Sequence, residues 1–259
     1  MLSASARAQP LPSVADLTTL GLRDSNAPTL LFGSHARGDG RPGSDIDVLQ
    51  LARSPASYAD GSLSVTVYRA DDLRSMAARG SLFVLHLRTD GHLLTDMDHT
   101  LETILNAWQP PASYDRLREA VREASGALDI SEADFRRNAT GYFNLATFLS
   151  RTEIYARCAS QGRPEFSVSL AAARCGASNM GRLLDDRRDA PRSWSRFVEL
   201  RRLMADDLNI PCANARGSLE ALVVHLDATT PIGAALVLRT FAGDPDINYH
   251  LMPSDTVPW

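Results

Sequence analysis

The chain has 259 residues, 44% apolar and 22% charged, which is enough to bury a substantial core without a disulfide or metal staple. No run approaches the roughly eighteen apolar residues of a membrane span and MLSASARAQP lacks a secretory core, so no membrane association is expected and the cytoplasm is the default location. The net charge of -4 argues against a general DNA or RNA binder, and because all 27 basic residues are arginine, any phosphate recognition must use planar guanidinium forks.

Taken in chain order, the first clear element is PTLLFG at 28–33, a short strand whose start is fixed by proline. A polar, glycine-rich stretch follows, and DIDVLQL at 45–51 then alternates as a half-buried strand does. SLSVTVY at 62–68 is a third strand, rich in β-branched residues. DDLRSMAARGSLFVLHL reads as one helical run with an aspartate cap, and HLLTD as a short strand after the Asp90-Gly91 turn. The pattern changes at Gln109-Pro110-Pro111, beyond which no convincing strand is present. A mixed domain is therefore expected over 1–110 and a helical domain over 111–259, an α+β chain. In the second domain Ser131 to Asp134 reads as a capping box opening a long helix, and further helices are expected near 168–188, 193–208, 216–227 and 231–243. The tail NYHLMPSDTVPW reads as irregular. Cys158, Cys175 and Cys212 are odd in number and without CxxC spacing, and are read as packing residues.

The chemistry concentrates in FGSHARGDGRPGSDIDVLQL. Aspartates at i and i+2 on a strand share a face, so Asp45 and Asp47 converge on a small volume. Their repulsion is relieved by a shared proton or a hard divalent cation, and Mg²⁺ is commonly held by one or two carboxylates together with substrate phosphates. Gly33, lacking a Cβ, lets backbone approach a phosphate, and the Ser34 hydroxyl and the N–H groups after it can hold anionic oxygens, with Arg37 close by.

LLFGSHARGDGRPGSDIDVLQL resembles the signature of the minimal nucleotidyltransferases, in the DNA polymerase beta-like superfamily: a strand ending in Gly-Ser, an Ala-Arg-Gly turn, then Ser-Asp-hydrophobic-Asp on the next strand. The resemblance covers about 110 residues. It implies a polymerase beta-like fold in which Gly33, Ser34, Arg37, Gly38 and Ser44 bind or shape the site for a nucleoside triphosphate. It likewise implies that Asp45 and Asp47 are catalytic ligands of Mg²⁺ or Mn²⁺. The activity implied is transfer of a nucleoside monophosphate, with AMP favoured and ATP as donor, to a hydroxyl of a protein, an RNA or a small molecule, as in toxin–antitoxin or phage-defence modules.

One departure stands out. Active members of the family carry a third carboxylate on a later strand, and SLSVTVY offers only Ser64 or Thr66 there. Asp60, Asp71 and Asp72 are the nearby alternatives, the last two reading better as helix caps. A hydroxyl is a poorer Mg²⁺ ligand and no base at neutral pH, so a catalytically silent nucleotide- or partner-binding module is the rival reading. His86 reads as a packing histidine and His35 as a nucleotide contact, while Glu153 and its arginine neighbours read as surface pairing, the alternative being that Arg151 or Arg157 faces nucleotide or acceptor. SLAAARCGASNMGRLLDD has the rhythm of a helix-turn-helix, with Asp185 and Asp186 opposing a DNA-reading role. The Arg and His pair of ribonuclease HEPN proteins, frequent partners of the family, is not found.

Overall fold

A computed structural model describes residues 11–41, 43–185 and 191–241. The N-terminal MLSASARAQP, Pro42, Asp186, the expected helix ends at 186–188 and 242–243, and the tail lie outside the described residues. The chain divides into two compact units, Met1–Pro110 and Pro111–Trp259.

The first unit is α+β. In chain order it contains α1 (Val14–Thr19), β1 (Thr29–Phe32), α2 (Gly33–Arg37), β2 (Ile46–Leu51), β3 (Tyr58–Asp60), β4 (Leu63–Tyr68), α3 (Ala70–Ala78), α4 (Leu82–Asp90), β5 (His92–Thr95) and α5 (Thr100–Asn106). The strands form one mixed sheet in the order β3-β4-β2-β1-β5. β1 lies antiparallel to β2 and β5, β2 parallel to β4, and β3 antiparallel to β4. Three or four strands are legible in the sequence. β3 escapes because it is three residues long and half of a tight hairpin, with too few positions to show a period.

Alternation splits the sheet into two faces. Leu31, Val48, Leu63 and Val65 pack with Leu17 of α1, Leu22 and Ala36 of α2. On the other face Phe32 meets Phe83 edge-on at 5.8 Å, and Tyr68 meets the same ring at 5.9 Å, so α4 covers this side. The single helical run expected after β4 is two helices, broken at Gly80, whose φ of +72° is left-handed and costs glycine little. Its N-cap is Arg69 rather than an aspartate, and Asp71 and Asp72 occupy the first turn, where their negative charge complements the positive end of the helix dipole.

The second unit is helical: α6 (Asp115–Ala124), α7 (Glu132–Arg137), α8 (Ala139–Ser160), α9 (Val168–Arg174), α10 (Ser178–Asp185), α11 (Trp194–Leu208), α12 (Leu219–Thr229) and α13 (Pro231–Phe241). The long helix α8 packs against α6, α9, α11 and α13. Ser131 caps α7, not the long helix, which starts anew where the Asn138 side chain accepts from the Gly141 N–H. Phe135 stacks on Phe197 at 4.9 Å, joining α7 to α11. Glu153 is fully buried rather than a surface partner: Arg118 reaches its Oε1 at 2.9 Å and Arg157 at 2.7 Å. Arg157 also donates to the carbonyls of Asp207 and Leu208, and Arg151 donates to Tyr155 Oη at 3.2 Å, so both arginines brace the helical core. α9 and α10 form a helix-turn-helix around Gly176, with Ala177, Met180 and Leu184 buried. Sγ of Cys158 and Sγ of Cys175 stand 3.4 Å apart as free thiols, the first buried and the second half-buried.

Candidate functional site

The expected site residues gather where β1 ends and β2 begins. Phe32 pairs with Asp47 across the antiparallel ladder, so the last residue of β1 and the second aspartate lie side by side on one face. From Phe32 the backbone turns directly into α2. Gly33 takes φ +76°, and a Cβ there would stand 2.5 Å from Asp47 Oδ2. Glycine is thus required twice, by its dihedral and by a carboxylate occupying the space of a side chain.

Ser34 follows, half-buried, its carbonyl accepting from the Asp39 N–H at 3.0 Å, while its hydroxyl makes no hydrogen bond among the described residues. α2 closes at Gly38, a left-handed C-cap whose N–H is spent on the His35 and Ser34 carbonyls, so this glycine terminates the helix. The loop then returns to β2 under local restraint. Ser44 donates its N–H to the Arg41 carbonyl at 2.9 Å and accepts the Arg41 N–H on its hydroxyl at 3.0 Å. His35 Nε2 lies 3.2 Å from the Ser44 carbonyl, so this histidine ties helix to loop one residue before Asp45.

Asp45 is exposed and immediately precedes β2, and Asp47 is half-buried within it, so the two aspartates flank Ile46 at the start of the strand. Ser64 is the parallel-strand neighbour of Asp47, and Thr66 that of Leu49, so two hydroxyls stand on the Asp47 face of the sheet. The alternative carboxylates stand elsewhere. Asp60 pairs with Leu63, whose side chain belongs to the opposite face, and packs against Gly21. Asp71 and Asp72 follow the far end of β4, where Tyr68 pairs with Leu51, and Asp71 is joined to Arg74. They lie beyond the four-residue advance from Ser64 to Tyr68, roughly 13 Å along the strand. Among the described residues no group of three or more His, Cys, Asp or Glu side chains is gathered as a metal site.

Arg37 is held at two of its three nitrogens. Its Nη1 donates to Asp90 Oδ2 at 2.7 Å and its Nε to Asp39 Oδ2 at 3.2 Å, while Nη2 makes no hydrogen bond among the described residues. Asp90 is the last residue of α4, nearly buried, with His86 Nε2 3.3 Å from the same oxygen. The buried His86 ring sits edge-on to Phe32 at 5.7 Å. Burial alone would raise the Asp90 carboxyl, but the nearby His86 ring, then the Arg37 guanidinium, outweigh it and hold the group below its usual value. For Arg37 burial opposes the charge, and Asp90 followed by Asp39 more than restores it. Sequence reading missed this cluster, taking His86 as packing and Asp90 as a turn. The available signal was that His86 and Asp90 are i, i+4 on a helix otherwise apolar from Leu82 to Leu87.

Residues 22–81 match the family model of the nucleotidyltransferase domain. The first unit carries a nucleotidyltransferase domain. The match spans β1 to α3 and so includes the Gly-Ser turn, both aspartates and Ser64, and it agrees with the polymerase beta-like resemblance of the sequence. No curated protein matches the chain. Among the described residues no helix is long and apolar enough to cross a membrane.

Proposed function

We propose that the nucleotidyltransferase domain binds a nucleoside triphosphate between the Gly33-Ser34 turn and the Asp45/Asp47 pair, and transfers its nucleoside monophosphate to a hydroxyl. AMP is the favoured group and a protein, RNA or small molecule the acceptor. The observation that carries this reading is the contact between Gly33 and Asp47, which brings a helix-opening turn against a carboxylate at the distance where a side chain would stand. Backbone N–H groups and the Ser34 hydroxyl suit phosphate oxygens, and a carboxylate pair suits the cation that accompanies them.

The residues fit a hard divalent ion in part. Asp45 and Asp47 would hold Mg²⁺ or Mn²⁺ jointly with substrate phosphates, an arrangement that needs no full protein cage. When bound, the ion supplies neutralisation of charge on the phosphate oxygens. The chain's own contribution is positioning: Gly33 and Ser34 orient the triphosphate, Ser44 and His35 set the loop that delivers Asp45, and Arg37 offers Nη2 to an oxygen. In the transfer the acceptor oxygen bonds to the α-phosphorus, the bond to the α–β bridging oxygen breaks, and pyrophosphate leaves with the electron pair. The acceptor proton passes to solvent.

A second reading rests on Ser64. With a hydroxyl beside Asp47 where the family expects a carboxylate, a binding module without turnover has a specific observation in its favour. The two readings separate on incubating the protein with each α-³²P-labelled nucleoside triphosphate and Mg²⁺, alone and with cell lysate, beside an Asp45→Ala, Asp47→Ala variant. Label moved by wild type alone supports transfer. Retained nucleotide without transfer, dependent on both aspartates, supports the module, and no interaction at all overturns both.

A further inference from the structure

Arg37 is anchored by a charge that the sequence motif does not contain. Asp90 lies at the end of α4, 53 residues along the chain, with a side chain only 7% exposed. Placing a carboxylate there costs desolvation, which is recovered only if its partners are geometrically fixed. They are: Arg37 Nη1 at 2.7 Å and His86 Nε2 at 3.3 Å share Oδ2, and the His86 ring is itself lodged against Phe32, the residue from which α2 starts.

The Arg37 fork is therefore gripped at two of its three nitrogens. Nε is taken by Asp39 and Nη1 by Asp90, while Nη2 makes no hydrogen bond among the described residues. A guanidinium is planar, so fixing two of its nitrogens fixes the direction of the third. The α2 backbone is held by the same neighbourhood, since His92 Nε2 lies 3.1 Å from the Ala36 carbonyl.

Resting on the nucleotide reading above, we propose that Asp90, backed by His86, is a positioning residue of the nucleotide site. It holds Arg37 by Nη1 and so presents Nη2 to a phosphate oxygen of the bound triphosphate. Asp90 itself touches no substrate in this account. Its effect on binding passes entirely through Arg37, and that dependence makes the inference testable.

The experiment is a double-mutant cycle on full-length protein, reading affinity by calorimetry for Mg²⁺-tripolyphosphate, which isolates the phosphate contacts from base and sugar, and for each Mg²⁺-nucleoside triphosphate. Arg37→Gln and Asp90→Asn should each weaken binding of both probes about tenfold, and the double variant should be no weaker than Arg37→Gln alone. His86→Phe, which keeps a ring against Phe32 but removes Nε2, gives a smaller loss in the same direction and serves if Asp90→Asn fails to fold. A purely structural role would lower thermal stability while leaving the folded protein's affinity unchanged, and would overturn the inference. Losses that multiply would overturn it too, as would tighter binding by Asp90→Asn, which would make Asp90 a competitor for Arg37. If wild type binds neither tripolyphosphate nor any nucleotide, the nucleotide reading itself falls. Wild-type binding with an unaffected Asp90→Asn removes the positioning role alone.

Discussion

At the residue scale, Gly33 is the most constrained position of the site. Its dihedral is left-handed, and a Cβ added to it would stand only 2.5 Å from Asp47 Oδ2. Gly33→Ala should cost roughly 2 kcal/mol of stability from the backbone alone and displace Asp47, abolishing nucleotide affinity. Thermal unfolding and calorimetry on the same sample check both. Asp90 makes a different claim. Its folded carboxyl is held below the ordinary value, so the stabilisation it confers is complete above the unfolded carboxylate range, near about 4, and is lost as pH falls through the lowered folded value. The stability gap between wild type and Asp90→Asn, measured by denaturant unfolding, should be constant from about pH 6 to 5 and close as the pH drops from about 4 toward 2. Sequence showed Gly33, Asp45 and Asp47 because their spacing is local. It hid Asp90 and Arg37 as a pair because nothing in either short stretch encodes a contact made 53 residues apart.

At the scale of elements, the register of β2 and β4 decides what stands beside the aspartates. Alternation gave the two strands and narrowed the neighbour to Ser64 or Thr66, but strand order and direction depend on tertiary pairing, and only the parallel register puts Ser64 opposite Asp47. Ser64→Asp should therefore add a third carboxylate on the same face. We expect it to tighten divalent-cation binding about tenfold, read by Mn²⁺ titration, and to lower stability in metal-free buffer through repulsion with Asp47. Asp60→Asn, on the opposite face, should leave cation binding unchanged. In the helical unit the helices themselves were legible from their 3.6-residue period, yet Glu153 was read as a surface partner, because i, i+4 spacing to Arg157 looks the same exposed or buried. Its burial depends on α6 delivering Arg118 from 35 residues away. Glu153→Ala leaves two guanidinium groups facing a void and should cost about 3 kcal/mol in thermal or denaturant unfolding. An unchanged midpoint would mean that the triad contributes nothing net.

At the scale of the whole molecule, the chain comprises two compact units, one a mixed sheet with helices and the other an all-helical assembly around α8. The chemistry proposed here belongs to the first, within the stretch that matches the nucleotidyltransferase domain. There, in the function proposed above, the Gly33-Ser34 turn and the Asp45/Asp47 pair form one joint site for nucleotide and cation. The most direct measurement is calorimetric titration of a non-hydrolysable nucleoside triphosphate into wild type and Asp45→Asn, Asp47→Asn protein, each with Mg²⁺ and with chelator. Wild type should bind with an affinity that weakens at least about tenfold without Mg²⁺, and the double variant should show the same weak affinity in both buffers. Equal affinity of wild type and variant in Mg²⁺ would contradict the joint site.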